Sequence, residues 1–324
     1  MKKKIAIVAG GDSHEREISL LSAQTVLDNI DKELFDAHLV IITEEEWVCH
    51  YHKVKIPVDK GDFCLDVDGQ HFHFDAVFIT IHGTPGEDGL LQAYFDLLSI
   101  PYTTSNHTEA TLTFNKWMCN QLLTSLGYAC AKSVLLRSPE VVNSAKIVSK
   151  VGLPCFVKPN DCGSSYGVKK VNRLEELDEA VSYAFQHGKQ VLIESFLGGT
   201  EVTNGAFSQQ GNTIVLPITE IVSENDFFDY EAKYEGKSSE ITPARLSEEI
   251  TALVKQTTEL IYHDLGLKGI VRIDYMIVNN VPYVIEINTT PGLSTESIIP
   301  QQAKVVGITL KELFTTVLEE ALND

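Results

Sequence analysis

Two stretches near the C-terminus, Ile270–Val278 and Val281–Ile287, are runs of Ile, Val and Tyr, yet Arg272, Asp274, Glu286 and Asn288 lie within them or at their edge. Apolar, β-branched runs of this length read as strands, and Asn279-Asn280 between them reads as a hairpin turn. Charged groups are rarely built into such strands unless they bind something or face solvent. Register decides which. A two-residue turn at Asn279-Asn280 puts Asp274 and Glu286 on opposite faces, because side chains alternate along a strand. A three-residue loop, Asn279 to Val281, sets them opposite one another on one face, and we expect that loop. Oxygen ligands so placed suit Mg bound to substrate phosphates, which keeps several waters and needs few carboxylates. The competing account is a solvated hairpin face with ordinary charges.

The rest of the chain must supply the phosphates' binding site. Lys4-Ile5-Ala6-Ile7-Val8-Ala9 reads as a buried parallel strand running into Gly10-Gly11, followed by a helix from about Glu15 to Asn29 capped by Asp12 or Ser13. A second buried strand, Asp75 to Ile81, ends at His82-Gly83, and a helix begins near Gly89. Two such units predict an open α/β domain over residues 1–104, with functional loops at the strand C-termini. Residues 105–194 form a second unit: a helix from Asn115 to Leu126, strands at Val151–Val157 and Val191–Glu194, and a helix from Leu174 to His187. Residues 195–324 open with a strand over Val202–Phe207 and a turn at Gln210-Gly211-Asn212. Asn225–Pro243 has no period and reads as a long loop, usually a functional one in a compact domain. A helix over Leu246–Leu265 precedes the hairpin.

Bulk properties exclude several classes. With 324 residues the chain is long enough for two or three domains, and its 44% hydrophobic and 22% charged residues are an ordinary globular balance. The formal net charge of −19 repels polyanions, so DNA and RNA are not expected partners. It does not exclude ATP, because a few lysines and metal ions set the local field. No apolar run is long enough to cross a bilayer, and the first one stops at Gly10-Gly11, too soon for a signal peptide; the expected compartment is the cytoplasm. The six cysteines are scattered without a C-x-x-C pair, which argues against a disulfide framework and against a zinc site.

Other candidate groups are weaker alone. Lys158 ends a buried strand just before Gly163-Ser164-Ser165-Tyr166-Gly167; a lysine there reaches phosphate oxygens, and a Gly/Ser loop offers backbone N–H groups to them. The loop lacks P-loop spacing. Glu194 and Glu201 suit ribose hydroxyls, although single acids are more often surface residues. Glu15 and its neighbours are explained equally well by a helix N-terminus. His82 either orients a substrate or caps its loop. Lys233 and Tyr234 lie in the long loop, where a lid carries substrate-closing groups. No Ser-His-Asp order, H-E-x-x-H or G-x-S-x-G is present, so phosphoryl transfer fits better than hydrolysis by a nucleophile.

Together these motifs resemble the D-alanine–D-alanine ligase family. The resemblance rests on Gly10 to Glu17, on His82-Gly83 with Gly86-Glu87-Asp88-Gly89, and on Val157-Lys158-Pro159 with Gly163-Ser164-Ser165. It continues through Asp229 to Tyr234, Arg272-Ile273-Asp274, and Glu286 to Gly292. Six motifs in the family's order are specific, though each alone is weak. The resemblance implies a three-domain ATP-grasp fold, α/β with an α+β ATP-binding part and a Rossmann-like N-terminal domain. It implies ATP held between the second and third domains and an acyl-phosphate intermediate. Asp274, Glu286 and Asn288 would hold two Mg ions, with Mn as a substitute. Lys116, Lys158 and Lys233 would bind phosphates, Glu194 and Glu201 the adenosine. Arg272 and the Gly292 N–H would stabilise the tetrahedral oxyanion, worth about 3 kcal/mol per donor. Glu15 would take the first D-alanine's ammonium, linked through Ser164 and Tyr234 to the closed lid, His82 would orient substrate, and Ser297 would receive the second carboxylate. Family resemblance also implies a homodimer.

Three positions depart from the commonest family pattern: Ser195 after Glu194, Cys162 before the Gly-Ser-Ser loop, and Thr295-Glu296 before Ser297. The nearest competing activity makes D-alanyl-D-lactate, and Tyr234 favours the amine acceptor. A non-catalytic ATP-binding relative should have lost Asp274, Glu286, Asn288 or Arg272, all of which are present. A dinucleotide-binding oxidoreductase needs G-x-G-x-x-G after the first strand, which is absent.

Overall fold

The computed structural model describes residues 2–52, 54–139, 143–163, 167–223 and 238–323. Ile5 to Ala9 are fully buried in β1 (Lys3–Gly10), which accounts for an apolar run without alternation. Helix α1 (Arg16–Asn29) packs on it through small residues, Ser19, Ser22 and Ala23, which permit a close approach. The Ser19 hydroxyl accepts the Gly10 N–H at 2.9 Å, tying the helix to the strand end. Strands β2 (Phe35–Ile42), β3 (Trp47–Tyr51), β4 (Val54–Asp59), β5 (Cys64–Val67), β6 (Gln70–His73) and β7 (Ala76–Ile79) complete a sheet in the order β6-β5-β4-β3-β2-β1-β7. Only β2, β1 and β7 pair parallel. The antiparallel part, β3 to β6, was not expected from sequence, and β7 is shorter than the Asp75–Ile81 strand read there.

Helices α2 (Leu90–Leu98), α3 (His107–Phe114) and α4 (Lys116–Ser125) lead into a second sheet. Gly89, at φ +91°, caps α2 where a Cβ would meet Thr111 Oγ1 and the His107 carbonyl, so only glycine fits. The second sheet contains β8 (Ser133–Leu136), β9 (Cys155–Pro159), β10 (Lys169–Val171) and β11 (Val191–Ser195), all antiparallel in the order β10-β9-β11-β8. Helices α5 (Ser144–Val151) and α6 (Leu177–Ala184) accompany it. Two expectations are corrected here. Val151 ends helix α5 rather than opening a strand, because Ile147 and Val151 are one helical turn apart on a buried face. The Leu174–His187 helix is a short 3-10 turn at Leu174–Glu176 followed by α6, which stops at Ala184.

The third sheet, β14-β13-β12-β15-β16, is antiparallel throughout: β12 (Thr200–Gln209), β13 (Asn212–Ser223), β14 (Ser238–Ile241), β15 (Val271–Val278) and β16 (Val281–Asn288). Strand β14 replaces the end of the expected 225–243 loop, pairing Ile241 with Glu220. Helices α7 (Glu248–Asp264), α8 (Ile298–Val305) and α9 (Leu310–Asn323) cover the sheet and its flank. Helix α9 packs on the first sheet: Leu313, Phe314 and Leu318 share a core with Ile5, Ile7 and Phe78, and the Phe78 and Phe314 rings meet edge to face at 5.6 Å.

The hairpin corrects the register argument. Val278 pairs with Val281, so the turn has two residues, Asn279 and Asn280, both at positive φ (49° and 65°). That is the primed geometry asparagine tolerates. Asp274 nevertheless faces Glu286, because the register shifts by one residue between Asp274 and Tyr275. Ile285 is the extra residue, a β-bulge that returns Glu286 to the Asp274 face. The expected juxtaposition is present, but a bulge produces it rather than a longer loop.

Candidate active site

The loops after β1, β7 and β16, the N-terminal end of α4, and the faces of β12 and β15 enclose a cavity of about 410 Å³. Glu15, His82, Lys116, Glu201, Arg272, Asp274, Glu286, Asn288, Gly292 and Ser297 all line it. Residues nearly 300 positions apart are therefore gathered as the sequence motifs require. Lys158 and Glu194 do not line it; they are paired to each other, and Glu194 also accepts the Asn120 amide at 2.7 Å. Ser164, Lys233 and Tyr234 lie outside the described residues.

At the centre, the Arg272 guanidinium grips Asp274 with two bonds, Nε to Oδ1 and Nη2 to Oδ2, each 2.9 Å. Asp274 also accepts the Thr203 hydroxyl at 2.5 Å and the Asn288 amide at 3.3 Å. The fork of bonds holds the carboxylate in one orientation in a partly buried place. Burial acts to lower the Arg272 pKa, but Asp274, and further off Glu286 and Glu87, outweigh it and raise it. Lys116 lies 3.6 Å from Glu286 and donates to the Cys162 carbonyl at 2.8 Å, joining α4 to the segment after β9. Burial lowers its pKa too, and Glu286 with Glu87 more than reverses that.

His82, read from the sequence as orienting a substrate or capping its loop, lines the cavity and is held from two sides. Its Nδ1 lies 2.8 Å from the Thr290 carbonyl and its Nε2 3.5 Å from Ser22, so it ties the first sheet's loop to the segment after β16. Burial lowers its pKa, partly offset by Glu15. Glu87 had no assigned role in the sequence. It is buried, accepts the Gly83 N–H at 3.0 Å, and is pushed up to about 7, first by burial and then by Glu15. Thr203 and Glu240 are further cavity residues that sequence reasoning missed; an alternating strand gives no signal for one threonine. Gly163 approaches α1 so closely that a Cβ there would stand 2.6 Å from Glu15 Oε2. Ser297 begins α8, with its hydroxyl 2.7 Å from Ser294 and beside Gly292.

Besides the proton-holding Glu87, six carboxylates line the cavity among the described residues (Glu15, Glu201, Glu240, Asp274, Glu286 and Glu296) against two cations, Lys116 and Arg272. That excess, together with the oxygen donors of Asp274, Glu286 and Asn288 on two adjacent strands, fits hard divalent cations such as Mg.

A Rossmann-like first sheet followed by two antiparallel sheets, with acids and an arginine facing their common cleft, defines an ATP-grasp enzyme. Residues 4–105 match the family model of the D-ala D-ala ligase N-terminus and residues 122–319 that of its C-terminus, and the chain belongs to this family. It is 49% identical over 321 residues to a D-alanine–D-alanine ligase of Flavobacterium johnsoniae, covering 99% of each chain. The solved structure of the VanG D-Ala:D-Ser ligase from Enterococcus faecalis superposes with a TM-score of 0.88 at 30% identity, covering 98% of this chain and 99% of that one. A D-alanine–D-alanine ligase from Bacillus anthracis solved with ATP matches at 0.79 and 27% identity, covering 99% and 98%.

Proposed function

We propose that this chain joins two D-alanines into D-alanyl-D-alanine at the expense of ATP, for peptidoglycan precursors. The carrying observation is the Arg272–Asp274 fork beside Glu286 and Asn288, in one cavity with Glu15 and Ser297. The first D-alanine's carboxylate attacks the γ-phosphorus, the bond to ADP breaks, and an acyl phosphate forms. The amine of the second D-alanine then attacks that carbonyl, loses a proton, and phosphate leaves.

In this reading Glu15 holds the first ammonium and Ser297 the second carboxylate. Arg272 and the Gly292 N–H face the developing oxyanion, where preorganised donors act most strongly. Lys116, Lys158 and Lys233 meet phosphates, Glu194 and Glu201 the adenosine, and Ser164 and Tyr234 close over the site. His82 orients the substrate pocket through Thr290. Asp274, Glu286 and Asn288 would hold Mg, which supplies neutralisation of phosphate charge. The three sheets support domains at 1–104, 105–194 and 195–324, with the last helix returning to the first. A homodimer in the cytoplasm completes the proposal; no helix among the described residues is long and apolar enough to cross a membrane.

The test is phosphate release from ATP and Mg with D-alanine, L-alanine, or D-alanine plus D-lactate or D-serine, with products identified by mass. Release requiring D-alanine, with D-alanyl-D-alanine formed, is expected. A product containing D-lactate or D-serine in preference would overturn the second-site assignment, and no turnover at all would overturn the reading.

A further inference from the structure

The outer end of the first sheet carries a second group of ligating side chains, none of which lines the cavity described above. In the β5–β6 hairpin Cys64 pairs with His73 and Asp66 with His71, and directly opposed residues share a face. Leu65 and Phe72, which pair in the alternate position, belong to the apolar core, so Cys64, Asp66, His71 and His73 point to the other side. Cys64 is only 1% exposed there, beside exposed Asp62 and His71. Its Sγ lies 3.2 Å from His71 Nδ1, and the ligand atoms of Asp62, Cys64 and His71 all lie within 4.8 Å of one another. The His71 and His73 rings lie on the same face, nearly parallel, with centroids 6.1 Å apart.

We propose that Asp62, Cys64 and His71 bind a borderline-soft divalent cation of the zinc type. In a tetrahedral zinc site, bond lengths of about 2.0–2.3 Å put neighbouring ligand atoms about 3.3–3.8 Å apart. The sulfur–nitrogen pair already stands close to that spacing, and Asp62 closes the remainder by side-chain rotation. Sulfur and imidazole donors select zinc over magnesium, so this site and the catalytic acids draw on different ions. On binding, Cys64 Sγ loses its proton to solvent and forms the metal–sulfur bond. Three protein donors leave the fourth position to water. Cysteine spacing alone argued against a zinc site, because the second ligand comes from a cross-strand neighbour rather than a C-x-x-C pair.

The ion would staple a hairpin at the sheet's edge, where β6 has a neighbour on one side only. Cobalt chloride is the probe, because a cobalt–thiolate bond gives a charge-transfer absorption in the near ultraviolet that carboxylate-bound cobalt lacks. The full-length protein, stripped with chelator, should develop that band at one equivalent. Zinc chloride should abolish it by displacement and raise the melting temperature. His71→Ala and Cys64→Ser should each abolish the band, and Asp62→Asn should weaken cobalt affinity about tenfold or more. His71 is exposed, so His71→Ala tests the site even if Cys64→Ser fails to fold. Ligase turnover with Mg should be the same for His71→Ala and the parent chain. Absence of the band in the parent, or its persistence in His71→Ala, overturns the proposal.

Discussion

Two hairpins in this chain share a turn and differ in everything the turn does not control. Asp68-Gly69 joins β5 to β6 and Asn279-Asn280 joins β15 to β16, each a two-residue turn with both residues at positive φ. The first hairpin keeps a regular register from end to end, so its ligating residues fall on one face by simple alternation. The second breaks register at Ile285 and thereby moves Glu286 from the core-facing to the cavity-facing side. Turn chemistry therefore sets where strands begin to pair, while a bulge decides which side chains reach a site. Both hairpins end on an edge strand, β16 and β6, but the β15–β16 hairpin has its Arg272 and Asp274 charges paired, whereas the outer one sets exposed Asp62 and His71 around a buried Cys64.

The largest expected effect breaks the oxygen set of the β15–β16 hairpin. Asp274→Asn or Glu286→Gln should lower the turnover number by at least about 10²–10³-fold. Circular dichroism should stay close to that of the parent in both, and the melting curve in Glu286→Gln, while Asp274→Asn also loses stability because it breaks the Arg272 fork. Phosphate release under saturating ATP and D-alanine measures it. Unchanged turnover in both variants would remove these residues from the metal assignment.

Arg272 tests whether charges in this hairpin are balanced as a unit. Arg272→Met leaves Asp274 partly buried without its bidentate partner, a change that typically costs about 3–5 kcal/mol. Urea unfolding should show that loss without Mg and a smaller one with Mg and ATP present. Equal losses in both conditions would mean that no cation shares Asp274's charge.

These two tests rest on residues that were legible from the sequence, and the reason is physical. Arg272, Asp274, Glu286 and Asn288 interrupt apolar strands, and a charge in such a strand is conspicuous. Buried parallel β1 was equally plain from its unbroken apolar run. The Ile285 bulge was not, because the extra residue is itself apolar and Val284-Ile285 reads as part of an ordinary strand run, so the break in alternation shows only in the paired register. Strands β3 to β6 were missed because short, half-polar segments with histidines and lysines carry little period. Glu87 was quoted within a motif but given no role; its burial is a property of the fold, not of its neighbours in sequence.

Glu87 extends the comparison to a carboxyl that is not paired by a cation fork. Its folded pKa, raised from 4.5 to about 7, means that its protonated form is favoured in the native state. The associated stability is fully present below pH 4.5 and is lost as pH rises through about 7. Glu87→Gln keeps an acceptor for the Gly83 N–H and removes the titration. Its stability relative to the parent should therefore rise between pH 5 and pH 8, by at most about 3 kcal/mol at 1.36 kcal/mol per pKa unit. Urea midpoints at several pH values measure this, and parallel profiles for the two proteins would refute the buried, proton-holding carboxyl.

The smallest effect belongs to the turn itself, and it separates turn from bulge. Asn280 sits at φ 65°, a conformation that costs most L-residues about 1–2 kcal/mol and that asparagine tolerates better. Asn280→Ala should therefore cost about 1 kcal/mol, and Asn280→Gly should be neutral or slightly stabilising. Neither should alter turnover, because the Asp274–Glu286 juxtaposition is set at Ile285, five residues beyond the turn. A loss of activity that exceeds the loss of stability would show that register in this hairpin is held from its turn after all, and that the bulge follows from the turn rather than correcting it.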